Sequence, residues 1–579
     1  MNESLAYTLS FPHPQNHLAE IVLTAPARDG VVDLWMPVWT PGSYLVREYS
    51  RNVEGFAAED ASGRPLPWTK TAKNRWRVEA GTAESIRVRY RVYGREKSVR
   101  TNWIDTSFAL VNGAPTFLTV RGLERRPHRI TVDPPPGWEQ VHTALPFEDG
   151  AFIAPDLDTL VDSPVVLGNP RVYRFSVDHR EILLVNLGEG GLWDGERAAA
   201  DVEAVVRAYR DMYGGLPFPR YLFFNLIVEA GGGLEHRDSC VLMTSRFAFR
   251  NRKSYVGWLG LVSHEFFHVW NVKRSRPREF GPFDYENEVY TRCLWVAEGF
   301  TAYYTDLVPR RAGLTTEEEY LELLSKQIEK LYSTPGRALQ SLEESSFDAW
   351  IKLYRADENT PNTTISYYLK GQIVGWLLDA EIRRLSQGER TLDDLMRLLF
   401  ERHGGESGYT PGDLQAAAEE TAGGPLDAFF ARAVRSREEL DLEPGLRGFG
   451  LRFAPDDEDP VPWLGIESET KDGRHAVKTV RRDGPAYEAG LNAEDEILAV
   501  GGYRVLPANL GERLKQYESG ERVVLTISRD DALLQLPVTL GEAPGSRWRL
   551  EADPDAGDEA AAERGRWLGC ASAGRGPRP

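Results

Sequence analysis

The spacing of apolar residues along the chain changes near residues 170 and 445. Before residue 170, short runs alternate apolar and polar side chains, as in SIRVRYRVY (85–93), and clusters of Pro, Gly and Asp separate these runs. A period of two residues, interrupted by such turn signals, is typical of antiparallel β-strands. We therefore predict an N-terminal antiparallel β domain over residues 1–170.

The middle region, 171–444, begins with the apolar runs 182–186 and 222–228 and then changes to a helical pattern. A few strands followed by a block of helices predict a second, mostly helical α+β domain. Apolar residues three and four apart predict helices at roughly 196–213, 255–271, 290–309, 316–332, 364–386 and 392–402.

Strand-like runs return after residue 445, for example WLGIES (463–468) and RVVLTISR (522–529), and predict a third domain over 445–543. The remaining segment, 544–579, is rich in Gly, Ala, Arg and Asp and has little apolar content, so we predict a disordered tail there. The predicted fold class is therefore multidomain α+β. The length of 579 residues agrees with this organisation, because it suggests three or four domains.

The charge balance narrows the choice of partners. The chain has 69 Lys and Arg against 87 Asp and Glu, which gives a formal net charge of −18. Nucleic acids and anionic membranes attract basic surfaces, so we expect neither as the main partner.

Cysteine use and the N-terminus bear on the compartment. Only Cys240, Cys293 and Cys570 occur, which argues against a disulfide framework. The first residues, MNESLAYTLSFPHPQNH, lack the basic and apolar regions of a secretory signal, and no run reaches the roughly 18 apolar residues of a membrane span. We therefore expect a cytoplasmic protein.

Two histidines and a glutamate stand inside the apolar stretch VGWLGLVSHEFFHVWNV (256–272). Residues four apart share one face of a helix, so His264 and His268 can bind one metal ion. Glu265 would then lie beside the open coordination position as a general base. The alternative is a pair of core histidines that each find a hydrogen bond. The apolar surroundings favour the metal site, and we expect one Zn²⁺ per chain, although other transition metals accept these ligands.

A catalytic zinc site needs a third protein ligand. Glu298 is the only carboxylate between Glu288 and Asp306, and it lies in the apolar run LWVAEGF (294–300). A carboxylate buried in such surroundings has to be paired or bound to a metal, so we predict Glu298 as the third ligand. An ion pair with Arg292, or a helix-capping role, is the alternative.

With HEFFH followed by WVAEGFTAYY, the chain resembles the gluzincin, or thermolysin-like, zinc metallopeptidases. It is more closely similar to the glycyl aminopeptidase family, through HEFFHVWNVKRSRP (264–277), GGGLEH (231–236), PVWTPGSYLVREY (37–49) and ISYYLKG (365–371). The resemblance spans about residues 1–545 and implies a thermolysin-like catalytic domain at 171–444 and a PDZ domain at 445–543. The separation from His268 to Glu298 exceeds that of most gluzincins, which suggests an insertion at about 275–290.

The resemblance also implies two substrate-binding features. Glu235 in GGGLEH matches the glutamate that binds the α-ammonium group of the substrate, and Gly232 and Gly233 before it allow the backbone to approach the substrate closely. His236 stands where related aminopeptidases usually have Asn. The alternative is a glycine-rich surface turn with a solvated glutamate.

Tyr368 matches the tyrosine of a Tyr-x-Lys-Gly motif in the same aminopeptidases. Its phenol would donate a hydrogen bond to the oxyanion of the tetrahedral intermediate. Aromatic residues at helical spacing are more often part of a core, and Tyr367 is the alternative candidate.

The segment GPAYEAGLNAEDEILAVGGYRV (484–505) resembles the centre of a PDZ domain. Leu464, Gly465 and Ile466 then occupy the carboxylate-binding loop and the start of the next strand, where a peptide C-terminus can bind as an added strand. The alternative is a PDZ domain that only packs beside the active-site entrance.

We predict a zinc-dependent aminopeptidase that hydrolyses the first peptide bond of peptides with a free N-terminus; the resemblance implies a preference for N-terminal Gly or Ala. One alternative is a zinc endopeptidase guided by its PDZ domain. Another is a non-catalytic PDZ scaffold whose zinc is structural. A weaker one is an esterase or amidase with the same chemistry.

Overall fold

The N-terminal region consists of three β-sheets around one apolar core, in a computed structural model that describes residues 4–569 except 28, 456–460 and 544–547. A seven-stranded sheet has the strand order Phe147–Glu148, Ala151–Ala154, His128–Asp133, Leu5–Ser10, Leu18–Pro26, Ser85–Tyr93 and Val53–Asp60. The two four-stranded sheets have the orders Thr119–Val120, Val31–Trp35, Arg75–Glu79, Trp68–Ala72 and Gln140–His142, Val165–Gly168, Phe108–Val111, Trp103–Ile104. Pairing is antiparallel except between Leu5–Ser10 and His128–Asp133, so the predicted β domain is confirmed with one parallel pair.

The middle region, for which the resemblance implies catalysis and which we call the catalytic region, begins with a mixed five-stranded sheet whose last strand, Gly232–Glu235, lies at its edge. The strand order is Arg171–Val177, Arg180–Leu187, Arg220–Ile227, Ser239–Thr244 and Gly232–Glu235. Within the sheet, Arg220–Ile227 is parallel to both of its neighbours. We call Gly232–Glu235 the glycine-rich edge strand.

Helices cover this sheet and form the rest of the catalytic region. The α-helices are Gly195–Tyr213, Arg252–Phe267, Thr301–Arg311, Glu317–Ser333, Leu342–Phe347, Thr360–Thr363, Tyr367–Leu385, Leu392–His403, Pro411–Ala422, Asp427–Phe430 and Glu443–Gly448. π-Helical turns span Trp295–Phe300 and Ala431–Arg435. None of the helices in the described part of the chain is long and apolar enough to cross a membrane.

The helix Arg252–Phe267, here the HEFFH helix, begins and ends a few residues before its predicted range of 255–271. It begins where the side chain of Asn251 accepts a hydrogen bond from the backbone N–H of Ser254, which is a typical N-cap. It ends at Phe267, with His268 as its C-cap, so the second histidine stands at the helix terminus and not in its interior.

The segment predicted as an insertion, 275–290, joins the catalytic region to the N-terminal domain. Trp39 donates its indole N–H to the carbonyl of Asp284 at 2.8 Å, and Glu286 accepts hydrogen bonds from Arg75 at 2.7 Å and Arg121 at 2.5 Å. Tyr285 is buried in the core of the N-terminal domain. This segment therefore holds two domains together, and its being an insertion stays a prediction.

The third domain contains a six-stranded sheet with the order Ile466–Lys471, Arg474–Val480, Glu496–Val500, Arg522–Arg529 and Ala532–Thr539, in which Tyr503–Arg504 also pairs with Glu496–Val500. Short helices lie at Pro485–Glu488 and Leu510–Leu514. Asn362 of the catalytic region contacts this domain: its side chain donates to the carbonyl of Val480 and accepts from the N–H of Arg482, each at 2.8 Å.

The prediction of a disordered tail over 544–579 is wrong for residues 548–569. Leu550–Ala552 pairs with Leu451–Phe453, and Asp558–Trp567 is a helix. Trp567 is fully buried in the catalytic core and donates its indole N–H to the hydroxyl of Tyr303 at 2.7 Å. A few well-placed apolar residues of this segment reach that core, so a low apolar content is sufficient to order it. Residues 544–547 and 570–579 lie outside the described residues.

Candidate active site

The two histidines of HEFFH and the distant glutamate meet at one point. The Nε2 atoms of His264 and His268 lie 3.6 and 3.4 Å from Oε2 of Glu298, and all three ligand atoms are within 4.8 Å of one another. Atoms bound at about 2.0–2.2 Å to a tetrahedral zinc ion would be about 3.3–3.6 Å apart. The residues therefore fit a zinc ion with three protein ligands.

Hydrogen bonds to the other ring nitrogens fix both histidines in the tautomer that a metal needs. Nδ1 of His268 lies 2.9 Å from the carbonyl of Asn271, which only accepts, so Nδ1 carries the proton. Nδ1 of His264 lies 2.9 Å from the hydroxyl of Thr305, which already donates to the carbonyl of Thr301, so this Nδ1 also donates. Both Nε2 lone pairs are therefore available to an ion.

Asn271 connects the end of the HEFFH helix to the turn that carries Glu298. Glu298 lies in the π-helical turn Trp295–Phe300, where the wider winding leaves backbone carbonyls in need of donors. The Asn271 side chain donates to the carbonyls of Val296 at 2.9 Å and Ala297 at 3.1 Å. One buried asparagine thus positions two candidate ligands, His268 through its carbonyl and Glu298 through its amide.

Arg292, the alternative ion-pair partner of Glu298, contacts a different side chain. The guanidinium of Arg292 stacks over the ring of Phe347, 5.1 Å from its centre. Burial works to raise the pKa of Glu298, but the neighbouring His268 and His264 lower it. Glu298 is therefore ionised where it faces the two histidines.

Tyr368 reaches the same site from the first turn of the helix Tyr367–Leu385. Its ring stacks on that of His264 with 6.2 Å between centres, and its hydroxyl lies 3.5 Å from that of Tyr354. This helix approaches the π-helical turn so closely that a β-carbon at Gly371 would be 2.9 Å from the Cα of Gly299. Tyr367, the alternative, is fully buried away from the cavity.

Glu265 lies against the glycine-rich edge strand, where a β-carbon at Gly233 would overlap its carboxylate. The Glu265 side chain is buried, and burial raises the pKa of this carboxyl to about 8, against the lowering effects of His268 and Arg100. A cation at the neighbouring ligands would lower it again. A carboxyl whose pKa is shifted toward neutrality is suited to general base catalysis.

Glu235 ends the glycine-rich edge strand and is also buried. Its Oε1 atom has no hydrogen-bond partner among the described residues. On its other side lies Gly42 of the N-terminal domain, with φ +85°, and a β-carbon there would overlap the Glu235 carboxylate. A buried carboxylate with an unsatisfied oxygen is prepared for a donor that is not part of the chain.

His236 points away from the site. Its Nδ1 lies 3.1 Å from Oδ1 of Asp162 in the N-terminal domain, and Lys273 donates to the same oxygen at 2.8 Å. Burial works to raise the pKa of Asp162, but Lys273 and His236 lower it strongly. The histidine that replaces the usual Asn therefore has a hydrogen bond between domains.

These groups line one cavity of about 410 Å³. Its lining comprises Gly42, Arg100, Gly233, Glu235, Gly257, Leu261, His264, Glu265, His268, Glu298, Thr305 and Tyr368. Gly232 precedes the lining residues on the edge strand. Sequence reasoning missed Gly42, Arg100 and Asn271, although Gly42 lies inside PVWTPGSYLVREY and Asn271 inside HEFFHVWNVKRSRP, two segments that carry the resemblance.

Part of the predicted carboxylate loop of the third domain lines a second cavity. Leu464 is buried in that domain's core, whereas Gly465 and Ile466 line a space of about 250 Å³ shared with Pro335 and Asn362 of the catalytic region. Peptide binding by this loop stays a prediction.

Comparison with known families and structures accounts for all three domains. Residues 6–169 match the family described as the peptidase M61 N-terminal domain, residues 257–374 the M61 glycyl aminopeptidase, and residues 462–540 a PDZ domain. A crystal structure of an aminopeptidase N family protein from Idiomarina loihiensis is similar over 97% of this chain and 100% of that chain, with a TM-score of 0.91 and 29% identity.

Two further similarities are weaker. Probable periplasmic serine endoproteases, DegP-like, from Brucella suis and Brucella abortus are 26% identical over 193 residues, which cover 31% of this chain and 37% of the length of those curated relatives. An M1 zinc metallopeptidase from Deinococcus radiodurans is 15% identical with a TM-score of 0.45, over 76% of this chain and 95% of that chain, too little to support an inference.

These matches place the chain in the peptidase class. It carries the N-terminal and catalytic domains of the M61 glycyl aminopeptidases, followed by a PDZ domain, which confirms the resemblance found in the sequence.

Proposed function

We propose that this protein is a zinc-dependent aminopeptidase that removes the first residue of peptides with a free N-terminus. The observation that carries the proposal is the buried, unpartnered carboxylate oxygen of Glu235 in the same cavity as the three metal ligands. An ammonium group is the donor that best satisfies such an oxygen. With its ammonium at Glu235, a peptide presents its first peptide bond to the ligand trio.

Two of the chain's own residues act on the reacting groups, and three others would hold the metal. Zn²⁺ bound by His264, His268 and Glu298 would polarise the scissile carbonyl and lower the pKa of the attacking water. Glu265 takes the proton of that water and passes it to the leaving amine. The phenol of Tyr368 donates a hydrogen bond to the oxyanion, a contribution of about 2.7–4 kcal/mol for a well-placed donor.

The family match supports a preference for small N-terminal residues, and the crowding around Glu235 agrees with it. The backbone of Gly42 lies directly against its carboxylate, which leaves little room for a large first side chain on that side. The site should therefore favour Gly and Ala over Leu or Phe. Hydrolysis rates for Gly-, Ala-, Leu- and Phe-amide measure this preference directly.

The decisive experiment compares each substrate with its N-acetylated form, with and without a chelator. We expect hydrolysis of the free form, none of the blocked form, and loss of activity on chelation that zinc restores. Equal hydrolysis of free and blocked peptides would favour an endopeptidase. Bound zinc with no hydrolysis of any peptide would favour a scaffold.

The PDZ domain and the compartment belong to the proposal as well. Peptide C-termini are the ligands that a PDZ domain selects, and the open edge of Ile466–Lys471 is the place where such a strand would add. The cytoplasmic location stays a prediction, and fractionation of cells that produce the full-length protein tests it.

A further inference from the structure

Arg100 brings a positive charge from the N-terminal domain into the candidate active site. It lies in the connection between the strands Ser85–Tyr93 and Trp103–Ile104, and its side chain lines the same cavity as His264 and Glu265. It is also one of the charges that act on the Glu265 carboxyl. The catalytic region by itself therefore does not complete the cavity.

The guanidinium of Arg100 lacks an acidic partner. Among the described residues no carboxylate oxygen lies within 4.0 Å of it, and its Nε atom is buried without a hydrogen bond. Other arginines of the same domain are paired, such as Arg77 with Asp33 at 2.8 Å. Arg100 is half-buried and lines the cavity, so its guanidinium can pair there with an anion that is not part of the chain.

The backbone around Arg100 is held in place. Its carbonyl accepts from the hydroxyl of Tyr49 at 3.0 Å, and its N–H donates to the hydroxyl of Ser98 at 3.2 Å. The side chain of Asn112 donates to both flanking carbonyls, Val99 at 3.2 Å and Thr101 at 2.6 Å. Such a fixed backbone lowers the entropy lost when the side chain binds a ligand.

We propose that Arg100 binds the C-terminal carboxylate of a short peptide, so that the protein prefers dipeptides and tripeptides with a free carboxylate. The inference rests on the proposed function, which puts the peptide's ammonium at Glu235. A short peptide carries opposite charges at its ends, and the cavity offers a carboxylate and a guanidinium to match them. Extended dipeptides and tripeptides are at most about 7 and 10 Å long. Guanidinium and carboxylate groups form paired, charge-assisted hydrogen bonds.

The test compares Gly-Ala and Gly-Ala-Ala with their C-terminal amides. In the zinc-loaded, full-length protein, we expect kcat/KM for the acid to exceed that for the amide by about tenfold or more at one of the two lengths. Arg100→Gln should remove this difference by slowing the acid and leaving the amide within about twofold, and Arg100→Lys should restore part of it. Equal rates for acid and amide in the unaltered protein would overturn the proposal. So would an equal loss for both in Arg100→Gln, which is the result expected if Arg100 only balances the charge of Glu265.

A matched control and a binding measurement complete the design. Arg47 is a half-buried arginine of the same domain that does not line the cavity, so Arg47→Gln should keep the preference for the acid. Calorimetry with Glu265→Gln, with and without Arg100→Gln, measures acid and amide affinities without turnover. A peptide that binds with the Arg100-dependent preference but is not cleaved by the unaltered protein would contradict the proposed function alone. Cleavage without that preference would contradict this inference alone.

Discussion

The proposed metal-binding half of the site, here the metal half, and the proposed substrate-binding half, here the substrate half, are built over very different distances along the chain. The metal half uses the HEFFH helix and the π-helical turn, with Asn271 between them, and lies within residues 252–301 apart from Tyr368. The substrate half brings Gly42 and Arg100 of the N-terminal domain to Glu235 of the edge strand. The first half depends on local geometry, and the second depends on how two domains are held together.

This difference predicts two kinds of failure. Changes in the metal half should lower the affinity for the metal, or lower kcat for every substrate, because they affect the reacting bond. Changes in the substrate half should lower kcat/KM, and the size of this effect should depend on which charged groups the peptide carries. The variants below test that separation.

The largest effect is expected from Glu265→Gln. The amide cannot take the proton from water, so kcat should fall by about 10²–10⁴-fold for all substrates while zinc content stays at one per chain. Steady-state kinetics together with metal analysis measure both quantities. Full activity in a zinc-loaded Glu265→Gln protein would exclude this residue as the general base.

Glu235→Gln should affect the substrate half of the site. Losing the negative charge leaves a bound ammonium without its partner, and kcat/KM for free peptides should fall on the order of 10²-fold. Zinc affinity should not change. Glu229 is exposed and lies just before the glycine-rich edge strand, so Glu229→Gln serves as the control and should leave kcat/KM unchanged. An unchanged kcat/KM in Glu235→Gln would remove the anchor on which the aminopeptidase proposal depends.

Asn271→Ala should lower zinc affinity by about 10–100-fold, because the π-helical turn that holds Glu298 loses its donor. Competition with a chromophoric chelator measures the change. Asn251→Ala, at the other end of the same helix, removes only an N-cap and should lower the free energy of unfolding by about 1 kcal/mol with no effect on zinc. Equal zinc affinities in the two variants would show that Asn271 does not position the ligand.

Gly42→Ala should lower kcat/KM on the order of tenfold, because the new methyl group crowds the Glu235 carboxylate at a backbone conformation that favours glycine. Gly63 has a similar φ, +83°, in the same domain. Apart from its chain neighbours, no atom of the described residues lies within 4 Å of the place that a methyl group would take there, so Gly63→Ala carries the backbone strain alone. The ratio of the two variants isolates the contact with Glu235. Identical losses would mean that strain, and not this contact, is responsible.

The sequence could predict that the three candidate metal ligands come together, because the information for this half is local. His264 and His268 are four residues apart in one helix, and Glu298 is the only carboxylate in a strongly apolar run. Asn271 escaped notice because nothing in the pattern indicates that its amide reaches a π-helical turn.

The substrate half was only partly predictable. Glu235 came from its resemblance to a known motif, but the contact between Gly42 and Glu235 joins residues 193 positions apart, for which periodicity gives no signal. In the sequence nothing distinguishes Arg100 from a surface arginine, because its place in the cavity depends on the fold. The tail was predicted wrongly because an average composition does not show that Trp567 and Leu568 lie together at the end of a helix, where both are buried.

The pairing of Leu451–Phe453 with Leu550–Ala552 makes the PDZ domain an insertion in the catalytic region. The chain leaves the catalytic region and returns to it at nearly the same point, where the N–H of Ala454 donates to the carbonyl of Arg549 at 2.8 Å. A stop codon placed after the PDZ domain would therefore strip Trp567 from the catalytic core. Joining residue 454 to residue 548 would instead excise the PDZ domain and leave that core with its own side chains, including Trp548, which stacks on Tyr332.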